Sequence, residues 1–140
     1  MDRREIPQWK VAGLIEASLE QVWPIVIEGN GFTDIVQQMQ PQNGVIVTEK
    51  EHLGRIEINL NKHTILTQGH WWYRGVHRLE THPRGCVVHY EVYNIAPGMS
   101  WWAAQLVQGP QHAREMNHRM EHMLQAIGKR LGCRTSPIQS

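Results

Sequence analysis

The spacing of hydrophobic and polar residues changes along this chain, and its first part predicts one strand. Residues 8 to 16 alternate between apolar and polar side chains, with Trp9, Val11 and Ile15 on the same side. A period of two residues is the pattern of a strand that buries one face. We therefore expect the folded structure to begin with a half-buried strand.

Two short helices are predicted after this strand. Ser18 and Gln21 form a capping-box pattern that opens the first helix. Pro24 lacks a backbone donor and should keep this helix short or kinked. Apolar side chains recur at helical spacing in residues 32 to 39, which predicts a second helix ended by Pro41.

The middle of the chain predicts strands. Residues 45 to 49 are rich in β-branched side chains, residues 55 to 60 alternate, and residues 63 to 69 are read as another strand. The clearest hairpin spans residues 70 to 95 and turns at residues 82 to 85, which carry proline second and glycine fourth. Together with the first strand, these segments make six strands.

The length of that turn decides which residues of the hairpin face each other. A loop of residues 83 to 85 places His77 opposite Glu91, and this is the register that we expect. A two-residue loop would instead place His77 opposite Tyr90 and separate it from Glu91.

The two faces of the hairpin differ in charge. Arg74, Arg78 and Glu80 share the even-numbered face, and burying them without partners would cost several kcal/mol each. We therefore expect the odd-numbered face to point inward, and the opposite orientation stays open. The odd-numbered face carries Trp71, Tyr73, His77, Leu79, Val87, His89, Glu91, Tyr93 and Ile95.

The C-terminal part of the chain predicts a long amphipathic helix. A short helix is expected within residues 98 to 109, and Pro110 is well placed to start the last helix. From residue 111 to residue 131 the apolar residues form one stripe. This stripe consists of Ala113, Met116, Met120, Met123, Leu124, Ile127 and Leu131. Gly132 is expected to end the helix, and the tail after it is expected to fray.

The order of these elements resembles that of the START/Bet v1-like superfamily of polyketide cyclases and lipid-transfer proteins. The segment IEASLEQVWPIV at residues 15 to 26 is similar to the opening of that family, and NIAPGMSWWAAQLVQGPQHAREMNHRMEHMLQAIGKRL at residues 94 to 131 is similar to its ending. The resemblance implies a single α+β helix-grip domain over residues 1 to 140. In that fold a curved antiparallel sheet of six to seven strands wraps around the C-terminal helix, and two short helices follow the first strand. Our six strands fall one short of the usual seven, so an edge strand is short or two strands are merged.

The same resemblance implies a cavity under the long helix that takes lipids, sterols, quinones, plant hormones or polyketides. Our first interpretation is therefore a protein that binds or carries a hydrophobic small molecule. The candidate ligand-binding residues are Trp71, Tyr73, His77, Glu91, Tyr93, Met116, Asn117 and Met120. Methionine adapts to an apolar ligand of uncertain shape, although a methionine stripe is first of all a packing device.

Two other functions stay open. His77 and Glu91 are the candidate catalytic acid and base of a cyclase- or dehydratase-like enzyme. Trp101 and Trp102 could form an exposed patch of a protein-interaction module.

Composition narrows the choice of partners. The formal charge of +1 lacks the basic excess that nucleic-acid binding needs. The chain shows neither an apolar run of membrane-spanning length nor a signal peptide, so we expect a cytoplasmic protein. We expect it to be a monomer or a homodimer. Cys86 and Cys133 are far apart in the sequence, and neither has a second cysteine close by. No cofactor is expected.

Nine histidines are many for 140 residues, but they do not predict a metal site. His118, Glu121 and His122 match an H-x-x-E-H pattern of zinc peptidases. Such a site needs a third ligand well downstream, and both histidines fall on the polar side of the predicted helix. We therefore expect a solvated helix face here.

Overall fold

Seven antiparallel strands form one curved sheet, and a long helix packs on its inner face, so the protein belongs to the α+β class. The structure, a computed structural model, describes residues 2–138 apart from the side chain of Pro110. The strands are β1 (Trp9–Ile15), β2 (Val45–Lys50), β3 (Gly54–Asn59), β4 (Thr64–Gln68), β5 (Tyr73–His82), β6 (Gly85–Asn94) and β7 (Thr135–Ile138). The helices are α1 (Leu19–Gly29), α2 (Thr33–Gln38) and α3 (Ser100–Leu131), and a short 3-10 turn covers Arg3–Glu5. The strand order is β2-β3-β4-β5-β6-β1-β7.

The local signals near the N-terminus are confirmed. The Ser18 hydroxyl accepts from the backbone N–H of Gln21 at 3.3 Å, and the Gln21 side chain accepts from the backbone N–H of Ser18 at 3.2 Å. This reciprocal capping satisfies two donors at the start of α1. The helix is short, as expected, but it continues through Pro24 to Gly29.

Helix α3 is a single helix of 32 residues, so the expectation of a separate helix starting at Pro110 is wrong. The buried side of α3 carries Trp101 and Ala104 before the proline and Met116 and Met120 after it. Packing along this continuous stripe outweighs the roughly 3 kcal/mol that a proline costs inside a helix. None of the helices within residues 2–138 is long and apolar enough to cross a membrane.

The inward stripe of α3 is confirmed. Met116, Met120, Leu124 and Ile127 are each at most 3% exposed. Leu124 lies on Gly13 of β1, where a Cβ atom would be only 2.6 Å from its methyl carbon. The helix therefore lies directly on the backbone of β1.

The C-terminal tail forms the strand that the sequence analysis missed. Gly132 ends α3 in the left-handed conformation, at φ 63°, and turns the chain back along β1. Residues Thr135–Ile138 then pair with β1 instead of fraying. Pro137 is tolerated in this strand because β7 lies at the sheet edge. Residues 139 and 140, the end of the expected fraying tail, lie outside the described residues.

The expected register of the β5–β6 hairpin is wrong. His82 pairs with Gly85, so the loop has two residues and His77 faces Tyr90 instead of Glu91. The His82 side chain accepts from the backbone N–H of Arg84 at 3.0 Å and holds this tight turn. Gly85 is required twice, because its φ of 145° is rare for other residues and because a Cβ atom there would lie 2.2 Å from the carbonyl oxygen of Ile15.

The two-residue loop changes which residues of β6 point inward. The odd-numbered face of β5 lies inside, as expected, with Leu79 buried. On β6 the even-numbered residues lie inside instead, and the buried ones are Cys86, Val88, Tyr90, Val92 and Asn94. Glu91 lies with Arg78 on the outer face, where their charged atoms are 3.5 Å apart.

Candidate functional site

A pocket of about 400 Å³ lies between the inner face of the sheet and the middle of α3. Its sheet wall consists of Thr67, Tyr73, Gly75, His77 and Tyr90, and its helix wall consists of His112, Glu115 and Arg119. Asn30, Phe32 and Leu53 complete its rim from the α1–α2 connection and the β2–β3 turn.

The strand pairing places the polar residues of the sheet wall side by side. His77 lies between Ile65 of β4 and Tyr90 of β6, and Thr67 lies beside Gly75. Residues paired in adjacent strands point to the same face of a sheet. The rigid sheet therefore presents these groups together to the pocket.

Two tyrosines form the polar centre of the pocket. The hydroxyls of Tyr73 and Tyr90 are hydrogen-bonded to each other. The Tyr73 side chain extends over Gly75, where a Cβ atom would lie 2.1 Å from the Tyr73 hydroxyl oxygen. The absence of a side chain at position 75 thus allows Tyr73 to reach Tyr90.

Both tyrosines stay protonated at neutral pH. Burial raises the pKa of Tyr73 and of Tyr90, and for Tyr73 the neighbouring Tyr90 raises it further. Each hydroxyl carries one hydrogen, and a single bond between the two uses one of them. One O–H of the pair therefore remains able to donate to a ligand.

His77 is a neutral imidazole in this setting. Its ring stacks on that of Tyr90, with centroids 4.4 Å apart and 11° between the ring planes. Burial, and then the charge of Arg119, lower the pKa of His77 to about 4. At pH 7 the ring is uncharged and can accept or donate one hydrogen bond.

Arg119 supplies positive charge to the pocket from the exposed side of α3. Burial has the largest effect on the pKa values of Tyr73, His77, Tyr90 and His112, and the charge of Arg119 lowers all four. One cation thus acts on two tyrosines and two histidines of the pocket wall.

His112 closes one end of the pocket inside an aromatic cage. Its ring meets those of Trp9, Trp72 and Tyr73 edge to face, with centroids 5.4, 5.5 and 6.0 Å away. Burial, followed by Arg119, lowers its pKa. Its Nε2 atom is buried and has no hydrogen-bond partner among the described residues.

The structure separates the residues that the sequence analysis grouped together. Tyr73 and His77 line the pocket. Met116 and Met120 are buried in the core and, with Asn117, line a different groove of about 720 Å³ beside the N-terminal half of β1. Asn117 is exposed, and its amide donates to the Ala113 carbonyl of its own helix at 3.2 Å.

Three other candidates lie outside the pocket. Trp71 lies in the connection before β5 and is 46% exposed. Glu91 and Tyr93 are on the outer face of β6, because the two-residue turn reverses the parity of that strand. The expected pairing of His77 with Glu91 across the cavity is therefore wrong.

Six residues of the pocket wall were not predicted from the sequence, and these are Thr67, Gly75, Tyr90, His112, Glu115 and Arg119. Tyr90 was predictable only through the two-residue loop that we left open. Glycine inside a strand indicates a close approach by another group, and this signal was present at position 75. Arg119 lies off the apolar stripe of α3 and is exposed, yet it borders the pocket.

The tryptophan pair is only partly exposed. Trp101 is buried, and its indole N–H donates to the Asn94 carbonyl at 3.0 Å. Trp102 is 50% exposed, and the Arg3 guanidinium lies over both rings, 4.7 Å from the Trp101 centroid and 5.4 Å from that of Trp102. The pair therefore does not form one exposed patch.

His118 and His122 are exposed on α3. Within residues 2–138, no group of three histidine, cysteine or acidic side chains is arranged to hold a metal ion.

Comparison of the sequence with protein-family models, with curated proteins and with solved structures gave no match in any of the three.

Proposed function

We propose that this chain has the helix-grip fold of the START/Bet v1-like superfamily and binds a small molecule in the pocket between sheet and helix. The ligand has an apolar body and one polar end. The element order and the long helix across the sheet support the fold assignment. The function rests on the pocket itself.

The observation that carries the proposal is a pocket whose polar groups converge on one point. Ligand sites are mostly apolar concavities of roughly 300–1,000 Å³ with a few fixed polar groups, and this pocket of about 400 Å³ is of that size. The Tyr73–Tyr90 pair, His77 and Arg119 are the polar groups that lie together in its centre, and Asn30, Thr67, His112 and Glu115 also line it. They can orient a ligand, while Phe32 and the stacked rings contact its apolar body.

The alternative of a protein-interaction module has less support. Such a module would fill the cavity with its own side chains, and this pocket is not filled. Its expected surface, the Trp101–Trp102 pair, has one ring buried.

The enzyme alternative is favoured by one observation, the neutral His77 beside a tyrosine donor. A general base works best when its pKa is near the working pH, and a pKa of about 4 makes His77 a weak base at pH 7. Glu91, its expected partner, faces away from the pocket. Binding therefore has more support than a cyclase- or dehydratase-like reaction.

The proposal is tested with N-phenyl-1-naphthylamine, an uncharged dye that fluoresces in apolar surroundings. Thr67→Phe places a ring in the pocket and should weaken dye binding at least about tenfold, which corresponds to about 1.4 kcal/mol. Thr81→Phe is the matched control, because Thr81 is exposed and outside the pocket lining.

Equal dye binding by the wild type and both variants would contradict the proposal and point to the groove beside β1. Native mass spectrometry of the freshly purified protein adds an independent test. A retained small molecule in the wild type that is lost from Thr67→Phe and kept by Thr81→Phe is the expected result.

A further inference from the structure

We infer that the ligand carries an acidic hydroxyl on an unsaturated ring, a phenol or an enol, and is bound as its anion between the Tyr90 hydroxyl and the Arg119 guanidinium. This inference rests on the proposed function, since it names the class of compound that the same pocket takes.

The tyrosine pair supplies the hydrogen-bond donor. Tyr73 and Tyr90 share one hydrogen bond, which leaves one O–H free for an acceptor. Hydrogen bonds to an ionised oxygen are shorter and stronger than those to a neutral one. The free O–H thus favours the anionic form of an acidic ligand.

Arg119 supplies a positive charge that forms no close ion pair among the described residues. Within residues 2–138, no carboxylate lies within 4.0 Å of its guanidinium. Glu115 borders the same opening, but it affects the pKa of His112 alone, whereas Arg119 affects four groups. The positive charge of Arg119 therefore acts on more groups of the pocket wall than the negative charge of Glu115 does.

The walls favour a flat ring that bears a single charged oxygen. The stacked His77 and Tyr90 rings and the buried Phe32 present aromatic surfaces to the pocket. The free O–H and the Arg119 guanidinium can bind one anionic oxygen from two sides, and the aromatic walls favour a flat ring that carries this oxygen.

The test uses 4-nitrophenol, whose phenolate is yellow, and 4-nitroanisole, its methyl ether, which cannot ionise. Protein should lower the apparent pKa of bound 4-nitrophenol, so that the yellow colour appears at a lower pH than in buffer. The phenolate should also bind at least about tenfold more tightly than 4-nitroanisole, the range expected for hydrogen bonds to charged groups.

Variants test whether Arg119 and Tyr90 cause the preference for the phenolate. Arg119→Gln and Tyr90→Phe should each reduce the preference for phenolate roughly ten- to hundredfold. Arg119→Lys should keep part of it, and Arg114→Gln, another exposed arginine of α3, should leave it unchanged. Glu115, His112 and His77 also line the pocket that holds the probe. The colour change of 4-nitrophenol is therefore also measured against pH with Glu115→Gln, which removes the negative charge beside Arg119.

The outcomes separate this inference from the proposed function. If 4-nitroanisole binds as tightly as the phenolate, or if 4-nitrobenzoate binds more tightly, the oxyanion assignment is overturned and the binding function stands. If no nitrophenyl compound binds and N-phenyl-1-naphthylamine also fails to bind, the proposed function fails together with the inference.

Discussion

The imidazole of His77 lies flat against the phenol ring of Tyr90, 4.4 Å away. The two residues face each other in adjacent strands, and Arg119 lies at the opening above them. The uncharged imidazole is thus buried, stacked on one aromatic ring and near a cation, so its protonation in the folded protein is unfavourable.

We expect His77 to make the protein less stable in acid. Its pKa is about 4 in the folded protein, against about 6.5 when unfolded, so the unfolded chain binds the proton more readily. Stability should therefore fall as the pH drops from about 6.5 to about 4, and this group should contribute up to about 3 kcal/mol of the loss.

Urea unfolding of the wild type and of His77→Phe between pH 4 and pH 7 measures this contribution. The phenylalanine keeps the stacking and cannot titrate, so the slope of stability against pH should be smaller in the variant. His122→Phe changes an exposed histidine of α3 and should keep the wild-type slope. Equal slopes in the wild type and His77→Phe would contradict the assignment.

Gly75→Ala should break the tyrosine pair. The new methyl group would lie 2.1 Å from the Tyr73 hydroxyl oxygen, so the ring must move away from Tyr90. Overpacking of this kind costs roughly 1–3 kcal/mol, and urea unfolding measures it. Gly29→Ala is the matched control, because its Cβ would meet no atom within 4 Å.

A double variant identifies the clash as the cause. With Tyr73→Ala present, Gly75→Ala should cost much less than it does alone, because the ring that it displaces is absent. Strictly additive costs would show that position 75 acts through the backbone and not through Tyr73.

Asn94→Ala should destabilise the start of α3. The buried Asn94 amide donates to the Trp101 carbonyl at 2.9 Å and to the Gln105 side chain at 3.1 Å, and its oxygen accepts from the Ala96 N–H at 3.1 Å. Losing these bonds in a buried site should cost about 2–4 kcal/mol in urea unfolding.

The control for this change is Asn117, an asparagine within α3. Asn117 is exposed and bonds only within its own helix, so Asn117→Ala should stay within about 0.5 kcal/mol of the wild type. If Asn94→Ala were equally mild, the hydrogen bonds of Asn94 would not anchor the helix.

Features set by neighbouring residues were predictable from the sequence. A strand within residues 8 to 16, the Ser18–Gln21 capping box and the inward stripe through Met116 and Leu124 were predicted from local patterns, and all three were found, although Leu14 and Ile15 on opposite faces of β1 are both buried. Most strands and helices could be predicted in this way, because each one is recognised from the pattern of its own residues.

Features that depend on distant packing were not predictable. Strand β7 forms because Gly132 returns the tail to β1, and α3 continues through Pro110 because both of its halves pack on the same sheet. The position of Arg119 at the pocket depends on how α3 is rotated about its own axis on the sheet. None of these follows from the residues next to the feature.

The two-residue turn at Pro83 and Arg84 decides which of the two faces of β6 points toward α3. With the present loop, Tyr90 and its even-numbered neighbours face the helix. Inserting one residue would present His89, Glu91 and Tyr93 instead, and so replace a hydroxyl site by a carboxylate site without any substitution. A change in the length of this loop, which lies outside the pocket lining, would therefore change the class of ligand that the pocket prefers.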